Sequence, residues 1–146
     1  MLVAGAGLGA AALLRPVAWA QPAIGMPEEL AAAISAFTAG KPVLPGKVTL
    51  EISPIVDNGN SVPVTVKVDS PMSATDRVTA IAIFNERNPQ RDVANFRLGP
   101  RAGRASVSTR IRLATSQKLV AVAQLSDGTF WSHSVDVVVA LAACIE

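Results

Sequence analysis

SDGTFWSHSVDVVVALAACIE, residues 126 to 146, holds a turn, a long strand and the single cysteine of the chain, Cys144. Ser126-Asp127-Gly128-Thr129 is a hairpin signal, because Asp-Gly supplies the positive φ that a tight turn needs. After it Trp131, His133, Val135, Val137 and Val139 alternate with Phe130, Ser132, Ser134 and Asp136. That two-residue period belongs to a strand with two unlike faces. Val137 to Ile145 is then apolar throughout, and Cys144 has two readings. As part of a buried strand end it is a small hydrophobe. If the sheet holds the chain only to about Val139, Cys144 is a reactive atom on a short arm.

Working outward, the same period recurs along most of the chain. Val48, Leu50 and Ile52 alternate with Thr49, Glu51 and Ser53 before Pro54 closes the strand, and Asp57-Asn58-Gly59-Asn60 is a turn. Val62, Val64, Val66 and Val68 follow, with Pro63 at a strand start or on an edge because it cannot donate to a ladder. Val78 to Phe84 is apolar at both parities, the pattern of a central strand covered on both faces. Val93 to Leu98, Arg104 to Leu113 and Lys118 to Leu125 complete the series. About seven short strands with evenly spaced turns predict an all-β, immunoglobulin-like β-sandwich.

One short N-terminal helix precedes the strands. In PEELAAAISAFTAG, residues 27 to 40, Pro27 suits the first helical position, and Glu28 and Glu29 meet the positive end of the helix dipole. Leu30, Ile34 and Phe37 recur at helical spacing, and Gly40 is the expected C′ residue. Lys41 to Gly46 is a linker stiffened by two prolines.

The first residues set the expected compartment. MLVAGAGLGAAALL is shorter than the roughly 20 residues a membrane span needs. Ala18-Trp19-Ala20 offers a small-x-small cleavage site. Residues 1–20 therefore read as an incomplete signal peptide, with a mature start near Gln21. Its glycine- and alanine-rich core suits a twin-arginine signal whose arginines would lie upstream. The expected location is the periplasm, where thiols oxidise and a lone cysteine pairs with another molecule or serves as a working thiol.

Composition limits the chemistry. The chain has 146 residues, half of them hydrophobic, and a formal charge of +2, which suits one domain with a core and argues against disorder. Arg101, Arg104, Arg110, Arg112 and Lys118 fall close together, but without tyrosine or interleaved aromatics they read as a solvated face and not a nucleic-acid surface. His133 lies eleven residues before Cys144 on one strand, too far for a Cys–His pair if that strand is extended at about 3.3 Å per residue. It reads as a structural residue beside Trp131. No cluster has metal-ligand spacing, and no phosphate loop or nucleophile elbow appears. The expectation is a protein with no catalytic residues, metal or cofactor of its own.

DNGNSVPVTVKVDSPM (57 to 72), IFNERNPQRDVANFRLGPRAGRASVSTRIRLATSQ (83 to 117) and VAVAQLSDGTFW (120 to 131) together resemble SoxY, the sulfur-carrier family of periplasmic thiosulfate oxidation. The resemblance implies an immunoglobulin-like fold, twin-arginine export, a heterodimer with a SoxZ-like sandwich and a C-terminal cysteine carrying small inorganic sulfur species. It also implies three transient partners. A c-type haem protein couples thiosulfate to the carrier, a dimanganese hydrolase releases sulfate, and a molybdenum sulfane dehydrogenase oxidises the remaining sulfur. Insertion into a membrane after processing is not expected.

The chain departs from that family at its end. Where the family has Gly-Gly-Cys-Gly-Gly, this sequence has Ala142, Ala143, Cys144, Ile145 and Glu146. The thiol keeps its place, but the four neighbours that would give the arm its flexibility are stiffer or bulkier than glycine. Glu146 and the terminal carboxylate add negative charge that disfavours a thiolate, so the Cys144 pKa is expected to rise. The expected division is leader 1–20, helix and linker 21–46, sandwich 47–139 and cysteine arm 140–146. The alternative to a working carrier is a carrier-like binding or scaffold subunit that has lost substrate delivery.

Overall fold

A computed structural model describes residues 26–143. The expected leader and Cys144, Ile145 and Glu146 lie outside the described residues. The chain forms α1 (Glu28–Thr38), then β1 (Val43–Pro45), β2 (Val48–Glu51), β3 (Ile55–Asn58), β4 (Val62–Val68), β5 (Val78–Asn85), β6 (Asp92–Arg97), β7 (Ser106–Ile111), β8 (Gln117–Leu125) and β9 (Phe130–Leu141). A large sheet runs β1-β9-β8-β5-β6, with β3 also on β9, and a smaller one runs β2-β4-β7. The two sheets pack face to face as the expected sandwich.

Alternation decides which side chain enters which layer. Val48, Leu50, Val62, Val64, Val66 and Val68 meet Ile81, Ile83, Leu119, Ala121 and Val137 between the sheets. The opposite parity of the large sheet supplies Ala82, Phe84, Val120, Val122 and Phe130, which pack under Leu30 and Ile34 of α1. Phe37 reaches Phe84 and Phe130 edge to face, with centroids 5.9 and 5.8 Å apart, a favoured aromatic geometry. The helix thus covers the second face of β5, which explains why Val78 to Phe84 is apolar at both parities.

Among the described residues nine strands form in place of about seven. The additions are β1, read as part of the linker, and β3, read as part of a turn. Both pair in parallel with β9 on one edge, Val43 opposite Phe130 and Asn58 opposite Leu141. Between them the chain crosses to the small sheet as β2. His133 bridges the sheets there, its Nδ1 accepting the Leu50 N–H at 2.9 Å, so it is the structural residue that its place beside Trp131 suggested. Pro63 lies in the middle strand of the small sheet, but β2 pairing stops at Glu51 opposite Thr65. It therefore has a ladder neighbour only on β7. The helix ends one residue earlier than expected, with Ala39 in the left-handed region at φ 53 and Gly40 donating to the Ser35 carbonyl at 3.0 Å.

The hairpin signal at 126–129 marks the β8–β9 turn, with Gly128 at φ 84. Asp127 Oδ1 accepts from Thr129 Oγ1 at 2.6 Å and from Thr129 N at 2.9 Å. These two bonds, side chain first, hold the Asp127 carboxyl below its ordinary value of 3.8. A depressed folded value means that the turn gains its full contribution above 3.8 and loses it as pH falls through the lower value. The stability difference between wild type and Asp127→Asn is therefore expected to be constant near neutrality and to shrink below pH 3.8. Thermal unfolding across that range checks this, and a constant difference would refute it.

Candidate functional site

The candidate site is the end of β9 and what grips it. Parallel pairing with β3 carries β9 two residues past Val139, to Leu141. Three further bonds fix its last turns: Gly59 N–H to the Leu141 carbonyl at 2.8 Å, Val138 N–H to Pro54 at 2.8 Å, and Ala143 N–H to the Leu113 carbonyl at 3.1 Å. Ser116 Oγ accepts the Val139 N–H at 2.8 Å. Of the expected arm residues, Ala142 is exposed and Ala143 half-buried. The backbone is thus held up to the residue that precedes Cys144.

Gly59 makes this grip possible. A Cβ built on it would stand 2.3 Å from the Leu113 carbonyl oxygen and 3.1 Å from Ala143 N. Its N–H faces Leu141 while its carbonyl accepts from Leu113 at 2.9 Å. The sequence placed Gly59 in a turn of residues that tolerate positive φ, but Gly59 is not among the positive-φ residues. What it provides is room for two other backbones to approach.

The Leu113 loop is in turn fixed by a buried amide. Asn88 donates Nδ2–H to the Arg112 carbonyl at 2.8 Å, and its Oδ1 accepts from Ala114 N at 3.0 Å and Gln117 Nε2 at 2.8 Å. Gln117 Oε1 accepts the Arg87 N–H at 2.9 Å. Arg91 joins the Asn88 carbonyl to Glu29 of α1. The connection between β5 and β6 thus sends Asn88 inward, where it brackets Leu113 on both sides. Asn88 was not singled out in the sequence, where nothing separates it from its polar neighbours.

No group of three His, Cys, Asp or Glu side chains that could hold a metal forms among the described residues. No described helix is long and apolar enough to cross a membrane. A cleft of about 660 Å³ lies between α1 and the outer face of the large sheet, lined by Ile34, Val43, Val122 and Ser134. It opens along the first half of β9, away from Ala143.

The model for the sulfur oxidation protein SoxY matches residues 34–144, through Cys144. The solved sulfur carrier protein SoxY from Chlorobium limicola f thiosulfatophilum is 32% identical, with a TM-score of 0.64 over 75% of this chain and 94% of that one. Superoxide reductase (neelaredoxin) from Ignicoccus hospitalis is 18% identical, with a TM-score of 0.57 over 64% of this chain and 80% of that one. Superoxide reductase from Nanoarchaeum equitans is 12% identical, with a TM-score of 0.55 over 66% of this chain and all of that one, 100%. The latter two share the fold. No curated protein matches the chain.

Proposed function

The chain belongs to the SoxY family of sulfur oxidation proteins, and from that premise we propose that it is a covalent sulfur carrier with Cys144 as its attachment point. The observation that carries this reading is that the family match runs through Cys144, beside an Ala143 backbone held at the end of the sandwich. In the proposed loading step the Cys144 thiolate bonds to the sulfane sulfur of thiosulfate. This gives Cys–S–S–SO₃⁻ and releases two electrons to a c-type haem partner. Water then cleaves the terminal S–S bond at a dimanganese partner. Sulfate and two protons leave, and a persulfide anion stays on the carrier for a sulfane dehydrogenase. The carrier contributes the nucleophile and its placement and turns nothing over itself. A SoxZ-like subunit is its proposed stable partner. The periplasm is its proposed location, on the leader reading of residues 1–20.

Intact-mass measurement after incubation with thiosulfate and the haem protein of the same organism tests the proposal. An adduct is expected on the wild type and none on Cys144→Ser. An unmodified wild type beside a haem protein shown to be active would reject the reading. The same spectrum reports processing, with a chain starting near Gln21 expected and a retained Met1 counting against export. One observation favours the second reading, a carrier-like scaffold without delivery: the Ala143 N–H is tied to Leu113, so a position of the expected arm is bonded to the sandwich. On that reading the native chain stays unloaded, and glycine at positions 142, 143, 145 and 146 restores loading.

A further inference from the structure

The cleft of about 660 Å³ between α1 and the large sheet is lined by Ile34 of the helix, Val43 of β1 and Val120 and Val122 of β8. Ser132 and Ser134 of β9 complete that lining, and among the described residues Lys41 is its one charged member. Beside the cleft, β9 lacks a neighbour for part of its length. β1 pairs with it as far as Pro45 opposite Ser132, and β3 begins only at Ile55 opposite Val138. The Ser132 carbonyl accepts from Gly46 N at 3.2 Å, and the Val138 N–H donates to the Pro54 carbonyl at 2.8 Å. With no register shift between β8 and β9, the even-numbered residues of β9 therefore aim their main-chain groups at this edge. Ser134 and Asp136 do so where no described strand lies opposite. Such an edge is a template for another extended segment.

The chain itself supplies the nearest one. Met26, the first described residue, lines the same cleft and packs on the cluster that includes Leu30, Ile34 and Phe130. Before it in sequence stand Gln21-Pro22-Ala23-Ile24-Gly25. These five residues carry no charge, which suits a lining with a single charged member, and Ile24 is their one large aliphatic side chain. Ile24 is two residues from Met26, a reach of about 7 Å at most, so it stays within range of the cleft that Met26 lines. A segment already tethered to the cleft enters it without the loss of translational freedom that a separate molecule incurs.

We infer that residues 21–25 fold back into this cleft, with Ile24 among Ile34, Val43 and Val122 and the main chain along the open edge of β9 at Ser134. The cleft is then the docking site of the chain's own N-terminal segment. The inference stands apart from the carrier reading, since no step of it involves Cys144.

The test uses the chain expressed from Met1, with its first residue read by intact mass. In a Cys144→Ser background, Ile24→Cys combined with Ser134→Cys should form an internal disulfide under mild oxidation by copper phenanthroline. Ile24→Cys combined with Ser108→Cys, on β7 of the other sheet, should not. Ile24→Asp should lower the thermal midpoint by about 4 °C or more, as for loss of one buried aliphatic side chain, while Ile24→Val should stay close to wild type. In hydrogen exchange the Ser134 amide should be protected in wild type and exchange on the order of tenfold faster in Ile24→Asp. Three results would overturn the inference: cross-linking no better than in the Ser108 control, a wild-type midpoint for Ile24→Asp, or a Ser134 amide exchanging freely in wild type. A purified chain that begins after Ile24 would overturn it too. Protection of Ser134 that appears only when a second protein is added would give the cleft to that protein instead.

Discussion

Gly59→Val is expected to destabilise the protein by at least about 3 kcal/mol and to free the end of β9 from the sandwich. The added Cβ would stand 2.3 Å from the Leu113 carbonyl oxygen, a distance no Cβ tolerates, and the atom in the way is backbone. Relief requires Leu113 or Gly59 to move. Either movement strains the Leu113-to-Gly59 bond of 2.9 Å, the Gly59-to-Leu141 bond of 2.8 Å and the Ala143-to-Leu113 bond of 3.1 Å. Denaturant unfolding should show a lower midpoint. Hydrogen exchange should show Gly59, Leu113 and Ala143 amides losing protection while amides of β5 and β8 keep theirs. A wild-type midpoint for Gly59→Val would mean that the close approach does not hold the site together.

Asn88→Leu is expected to cost about 2–4 kcal/mol through a different route. The replacement has similar bulk but cannot bond, so the Arg112 carbonyl and Ala114 N–H lose the partner they have at 2.8 and 3.0 Å, and Gln117 Nε2 keeps only the Thr115 carbonyl at 3.0 Å. Buried polar groups left unpaired cost more than the mean worth of a hydrogen bond. The Leu113 carbonyl should then wander, and Ala143 should exchange faster even though Asn88 does not touch it in the bonds described. A drop in midpoint with Ala143 protection intact would limit Asn88 to local stability. An unchanged midpoint would refute the bracket altogether.

The sandwich was legible because burial imprints itself on alternation. Val62 to Val68 and the two faces of β9 were read residue for residue, and the doubly apolar β5 announced a cover on its outer face. The strands that went unread, β1 and β3, lack that imprint. Val43-Leu44-Pro45 is three residues long and ends in proline, and Ile55–Asn58 looks like the approach to a turn. Each becomes a strand only because β9, more than 70 residues later, offers an edge. Cys144 was singled out as the one cysteine of the chain. The bonds that hold Ala143 before it were not legible, since Gly59 and Asn88 act through backbone groups that residue type does not reveal. A glycine chosen for space and one chosen for φ look alike in a sequence.

β9 is joined to β8 on one side and, along the other, to β1 at its start and β3 at its end. The order of synthesis therefore matters. Until residues 130 to 141 have emerged from the ribosome, the stretch from 43 to 58 has no lasting neighbour on the large sheet, and β8 lacks one of its two flanks. Pairings so distant in sequence form slowly. The nascent chain must wait for almost its whole described length before it can close, exposing valine-rich segments in the meantime. Such a polypeptide is a natural client for a chaperone.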